Sequence, residues 1–353
     1  MAGANPDAEG SFRGNLRYLQ AWHQAAIATF ARGANPGKAT AIVAEGITNS
    51  CRGDPALGKV QRKAIAIDPV QTFLVNAWGT ELLLVLQEDL ARSQEDWHVI
   101  ALANQWAVVQ SYYAVENATV ALVLAQGNAK PDTHEKTRAA YAERWQGKPY
   151  GPFAVVSGRG GLDHLPNAVK VEQVHILENV GERNCWGFID MCLRTTRQDM
   201  LHERFADARL RKRSSRLKAW GEDEKDRLTR GRKPRKKPVF PLPRLLPTER
   251  QAIDDKMRPT SFIDYLYRLR IRSNYVDTTM FTEGPGTDFE AVQMHRYLSQ
   301  LVGWNLLIIE AWIRRYVGAS SFAAMMDAWL RHKVAATAPG GMVARRASLL
   351  ELP

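Results

Sequence analysis

The stretch from Arg209 to Lys237 limits the fold more than any other feature. It holds 14 Lys/Arg and 4 Asp/Glu, a net of 14 − 4 = +10, whereas the whole chain carries +11 and everything outside the stretch therefore 11 − 10 = +1. A block of this kind repels itself and cannot be a core element, so it is expected as a solvated arm or helix face offered to a polyanion. Nucleic acid is the favoured partner. Solubility, a protein partner or an acidic membrane surface are the alternatives. The residues expected to meet nucleic acid are Arg211, Lys212, Arg213, Arg216, Lys218, Arg230, Arg232, Lys233, Arg235, Lys236 and Lys237. Pro234, Pro238, Pro241 and Pro243 forbid a helix through the second half of the region, which should run extended.

At 353 residues the chain exceeds the usual size of one domain, so one large core with a sizeable insertion, or two domains, is expected. Its longest apolar run, Val120 to Ala125, is far short of a membrane span and the N-terminus does not read as a signal peptide, which predicts a soluble protein with no membrane partner. Three cysteines cannot all pair, which suggests a reducing, cytoplasmic setting. Cys185, Cys192, His175 and His202 lie near one another in sequence but lack the paired short spacings of a zinc site. The segment Gly33 to Ala39 is one residue short of a phosphate loop and has Ala39 where a hydroxyl is required. Neither metal nor cofactor is expected.

Hydrophobic periodicity and capping residues predict a mainly α fold, an antiparallel helical bundle interrupted by the basic insertion. Residues 11–32 form one amphipathic helix, and 33–66 are rich in Gly, Asn and Pro. Asp68, Pro69 and Gln71 start a helix that runs to about Arg92, and a second spans about Glu95 to Gln126. His134 to Trp145 is a shorter helix. Within 153–181, glycines and the alternating run from Val169 to Ile176 suggest a small β-hairpin. Helix then returns from Glu182 to Trp220. Further caps at Thr248, Ser261 and Thr287 lead into three more helices, the last long and closed by Gly318, and a final helix spans about Ser321–Val334. The resulting division is an N-terminal segment 1–66, a first half-bundle 67–146, an insertion 147–257 containing the basic arm, a second half-bundle 258–335 and a tail 336–353 expected to be mobile.

Two separated stretches carry a resemblance. The first is Ser111-Tyr-Tyr-Ala-Val-Glu-Asn-Ala, followed by Thr133-His134-Glu-Lys-Thr-Arg138; the second is Tyr265-Leu-Tyr-Arg-Leu-Arg270-Ile-Arg-Ser-Asn274-Tyr275 before a long helix. Together they resemble the HEPN superfamily of small helical bundles, over roughly 67–146 and 258–318. The resemblance implies a metal-independent endoribonuclease, often dimeric, acting as a toxin or antiviral effector, in which an arginine holds the scissile phosphate and a histidine moves protons. Arg270 fits the first role, because a permanently charged planar fork suits a phosphate gaining charge. Where the motif would place histidine this chain has Tyr275, preceded by Asn274, and a phenol or amide serves proton transfer poorly. His134 is the substitute candidate. The expected catalytic set is thus Arg270, Asn274, Tyr275 and His134.

Each choice has a plainer alternative. Arg268, Arg270 and Arg272 could form a solvated helix face, Tyr112 and Tyr113 could be core, and His134 could be structural. Without the chemistry, the same bundle would be a non-catalytic RNA-binding or partner-binding module. A third reading is a toxin whose insertion docks an antitoxin.

Overall fold

A computed structural model describes residues 6–33, 38–61, 65–166 and 169–332, together with Arg346, Leu349 and Leu352. The fold is mainly helical, with one small hairpin, as the periodicity predicts. Helices α1 (Pro6–Phe30), α2 (Ala39–Gly53), α3 (Pro55–Gly58), α4 (Ile67–Ser93), α5 (His98–Ala125) and α6 (His134–Trp145) precede the hairpin. After it come α7 (Cys185–Thr229), α8 (Pro247–Asp255), α9 (Phe262–Ile271), α10 (Asp288–Val317) and α11 (Ala319–Leu330). No described helix is long and apolar enough to cross a membrane.

The chain forms two compact units, 1–194 with 260–353, and 195–259. In the larger unit α10 is the central element. Every residue from Leu301 to Arg314 is buried, because α1, α2, α4, α5 and α11 all lie against it. A helix covered on all sides must find partners for its polar groups, and this one does. Asn305 donates to the Tyr141 hydroxyl at 2.6 Å, and Glu310 accepts from the Trp78 indole at 2.8 Å. Gly318, at φ 92°, ends α10 in a conformation that side chains resist.

Directions follow from the cross-helix bonds. The short connection between α4 and α5 makes them an antiparallel hairpin, with Gln87 donating to Gln110 at 2.9 Å. Arg296 meets Glu88 and Glu310 meets Trp78, so α10 is also antiparallel to α4. Asn104 with Ala291 and Gln126 with Tyr316 show the consequence, that α5 and α10 run in the same direction.

Four features differ from the sequence reading. The loop-like 33–66 contains α2, which crosses α1 closely at Gly46, where a Cβ would stand 2.4 Å from the Phe30 carbonyl oxygen. The hairpin pairs Val156–Gly158 (β1) with Gly161–Asp163 (β2). The two-residue turn falls among glycines, whereas the alternating run 169–176 has no strand partner. Residues 147–194, expected in the insertion, belong to the larger unit, for Tyr150, Phe153, Phe188 and Ile189 are fully buried. Ser157 on β1 bonds Thr260 through both backbone groups, and the Thr260 hydroxyl donates to the Leu193 carbonyl at 3.1 Å. Most of the tail lies outside the described residues. Arg346, Leu349 and Leu352 are buried, with Arg346 between Glu81 (2.5 Å) and Glu310 (2.7 Å).

In the smaller unit α7 continues to Thr229, then 232–246 runs extended and returns along the helix to α8. The return is antiparallel. Arg235 reaches Glu224, Arg209 donates to the Pro243 carbonyl at 3.1 Å, Lys212 meets Glu249 at 2.7 Å and Arg197 meets Asp254.

Candidate functional site

The site is built from three helices of the larger unit. On α5, Tyr112 and Glu116 stand one turn apart, so their side chains share a face, and Tyr113 lies beside them. The loop after α5 folds back to Thr133, whose side chain accepts from the Lys136 N–H at 3.2 Å and starts α6 at His134. Helix α9 begins at a capping box in which Asp264 accepts from the Ser261 N–H (2.9 Å) and hydroxyl (3.0 Å). The cap fixes where Tyr267 and Arg270 fall, one turn apart.

Arg270 is 9% exposed and makes no ion pair among the described residues. Its Nη2 donates to the Tyr113 hydroxyl at 2.9 Å, and its guanidinium lies 5.6, 5.1 and 5.7 Å from the ring centres of Tyr112, Tyr113 and Tyr267. Its buried Nε finds no acceptor. Aromatic faces stabilise a cation only partly, so this guanidinium is held in place yet short of an anion. Arg138 gives the contrast. Also over the Tyr267 ring, at 4.0 Å, it is neutralised by Asp264 at 2.8 Å.

His134 is fixed from the other side of the tyrosine pair. Its Nδ1 donates to Glu116, and the Tyr112 hydroxyl lies 3.1 Å from the same nitrogen. An ionised carboxylate can only accept, so Nδ1 carries the hydrogen of this pair. Nε2 has no partner among the described residues, and the side chain is 40% exposed. Burial, helped by the Glu116 carboxylate, pushes the Tyr112 phenol well above its ordinary range, so Tyr112 stays neutral. The result is an imidazole oriented by a carboxylate, separated by two tyrosines from a cation without a counter-ion.

Arg270 and His134 therefore converge. Asn274 and Tyr275 do not join them: Tyr275 is 71% exposed, and neither makes a hydrogen bond or ring contact with Arg270 or His134. The cause is local. Beyond α9 the chain takes a π turn over Arg272–Val276, closed by the Asp277 N–H on the Arg272 carbonyl at 2.8 Å. Ser273 is anchored inward on α5, donating to the Gln105 carbonyl at 2.6 Å, which sends Tyr275 outward. Glu116 and Tyr267 belong to the site but were not among the expected residues. Their signal was spacing, for Glu116 lies four after Tyr112 and Tyr267 three before Arg270.

In the smaller unit the basic residues divide into two sets. Lys212, Lys218, Arg230 and Arg235 pair with Glu249, Glu222, Asp226 and the Asp223–Glu224 pair. Arg211, Arg213, Arg216, Arg232, Lys233, Lys236 and Lys237 make no ion pair among the described residues, and all but Arg213 are exposed. Of the block's four acidic residues, Asp223 and Glu224 hold the extended return against α7 through Arg235, while Glu222 and Asp226 pair with neighbours one turn away, and the second set, Arg213 apart, faces solvent. Among the described residues no three His, Cys, Asp or Glu gather as metal ligands.

Comparison with known protein families, with characterised proteins and with solved structures finds no match. The site is read from its own geometry.

Proposed function

We propose that this protein acts on RNA as a HEPN-like, metal-independent endoribonuclease, with Arg270 on the scissile phosphate and His134 as the proton carrier. One observation carries the reading. A guanidinium without a counter-ion and a carboxylate-oriented imidazole, from opposite halves of the bundle, meet on one tyrosine pair. Phosphate would supply the anion Arg270 lacks. His134 Nε2 would take the proton of a ribose 2′-hydroxyl as its oxygen forms a bond to phosphorus. The P–O5′ bond breaks, and the imidazolium returns the proton to the departing 5′-oxygen, leaving a 2′,3′-cyclic phosphate. Tyr113 holds Arg270 in position. The unpaired cations Arg211, Arg216, Arg232, Lys233, Lys236 and Lys237 would raise the local RNA concentration without entering the chemistry.

A homodimer would bring a second Arg270–His134 set to the same substrate, and a toxin or antiviral effector in the cytoplasm fits three free, buried cysteines. An antitoxin would be a partner for the smaller unit. The test is incubation of the purified chain with RNA in EDTA. Cleavage should leave cyclic-phosphate ends and fall at least 100-fold in Arg270→Ala and in His134→Ala. Undiminished cleavage by Arg270→Ala would remove the assigned site.

The second reading, a non-catalytic RNA-binding or partner-binding module, is favoured by how deeply Arg270 sits and by the tyrosine hydroxyl already on it. It predicts salt-sensitive RNA affinity, with log K falling by about 0.7 per phosphate contacted for each tenfold rise in salt, and no cleavage.

A further inference from the structure

At the far end of α6 from His134 lies a cleft of about 630 Å³, bordered by the segment after α3 and by the last turns of α5, α6 and α10. Its size falls in the roughly 300–1,000 Å³ range of small-molecule clefts. The twelve residues of α6 separate it by roughly 18 Å from His134, at 1.5 Å per residue, so the two places do not share one ligand.

The cleft's charge is one-sided. Lys59, Arg144 and Lys148 line it against a single acid, Glu143, and none of the three makes an ion pair among the described residues. Arg144 is the inner one. Its Nε donates to Gln126 at 2.7 Å and its Nη1 to the Ala140 carbonyl at 2.8 Å, so it is fixed without being neutralised. Burial accordingly lowers its pKa from the ordinary arginine value. The same Gln126 donates to the Tyr316 hydroxyl at 3.4 Å.

The wall behind these cations is aromatic and braced. Trp312 packs on Trp145 with centroids 6.0 Å apart and on Tyr316 at 6.3 Å, and Lys148 Nζ stands 5.0 Å over its ring. The Trp312 indole donates to the Tyr150 hydroxyl at 2.6 Å, which donates to Asp54 at 2.7 Å. Helix C-termini attract cations in their own right. That accounts for the Arg144 bond to Ala140, but Lys59 and Lys148 hydrogen-bond no carbonyl through Nζ among the described residues.

We propose that this cleft binds a small planar organic anion, its ring against the Trp312–Tyr316 wall and its phosphate or carboxylate among Lys59, Arg144 and Lys148. The claim is independent of the reaction assigned to Arg270. Titration calorimetry on the full-length protein with phenyl phosphate, benzoate and inorganic phosphate tests it, and the first two probes separate a phosphate from a carboxylate ligand. At least one ring-bearing anion should bind saturably, one per chain, tenfold or more tighter than inorganic phosphate. Lys59→Glu, at an exposed position, and Arg144→Gln should each weaken it at least tenfold, while Arg270→Ala leaves it unchanged. No saturable binding of either ring-bearing anion, affinity no better than inorganic phosphate, or affinity unmoved by Lys59→Glu would overturn the proposal.

Discussion

Replacing Arg346 by methionine removes a cation set between two carboxylates in the core. Glu81 and Glu310 are 0% and 1% exposed, and Arg346 spans them while lying 5.4 and 5.6 Å from the rings of Trp78 and Trp329. Methionine keeps much of the apolar volume, so the loss is mainly electrostatic. Breaking a buried pair by removing one partner costs about 3–5 kcal/mol, and here one removal strands two acids. Burial already raises the Glu310 pKa despite the arginine, whose charge and hydrogen bonds lower it. Without the arginine it rises further. A carboxyl whose folded pKa lies above its unfolded value binds more protons when folded, so its unfavourable contribution grows as pH rises through that window and fades as pH falls. Urea unfolding at pH 7.5 should therefore show a loss of about 3–5 kcal/mol relative to the parent chain. Of this, about 1.4 kcal/mol should return per pH unit of descent while Glu310 is within its window. Adding Glu81→Gln should restore part of the loss. A difference under about 1 kcal/mol that stays constant with pH would refute the seating of Arg346 between these glutamates.

Glu116→Gln leaves His134 without a group that can only accept, so either ring nitrogen can hold the hydrogen. RNA cleavage should fall by about 100-fold or more while stability changes by about 1 kcal/mol or less, and an unchanged single-turnover rate would exclude the orienting role. Arg138→Met takes the counter-ion from Asp264 and the cation from over Tyr267, so denaturant unfolding should show a loss of about 3 kcal/mol; less than about 1 would mean that the pair is not structural. His295 is buried, and desolvation lowers its pKa to about 4 against its hydrogen bond to the Leu84 carbonyl. The unfolded chain takes up that proton near pH 6.5 and the folded one only near 4, so stability present above pH 6.5 is lost as pH falls through this interval. His295→Gln should flatten that part of the stability profile, and an unaltered slope would contradict the assignment.

Elements whose ends are set by local chemistry were readable from sequence. Thr133 and Ser261 start α6 and α9 where their capping residues require, and the broad apolar face of α5 gives a buried helix. Arg270 and His134 were readable as residue types in helical context. Their meeting was not, since it depends on α5 and α9 packing, and nor was Glu116, whose role appears only once α6 folds back. Tyr275 was misplaced because a π turn shifts the helical phase, and no composition rule announces one. The α2 segment was obscured by Gly46 and Asn49, which lower helix propensity while Gly46 makes the close crossing with α1 achievable. The tail was expected to be mobile for its glycines and arginines; only the fold reveals the two buried acids that Arg346 meets.

The bond from the Thr260 hydroxyl to the Leu193 carbonyl means that the chain leaves the larger unit and re-enters it at one place. Residues 195–259 are therefore topologically a side loop, with no strand of the bundle depending on the path taken through them. Such a segment can change in length or sequence without altering the order in which the chain threads the larger unit. The same geometry makes the position an acceptor, at which one basic appendage can stand in place of another while the chain re-enters the larger unit at Thr260, two residues before the helix that carries Arg270.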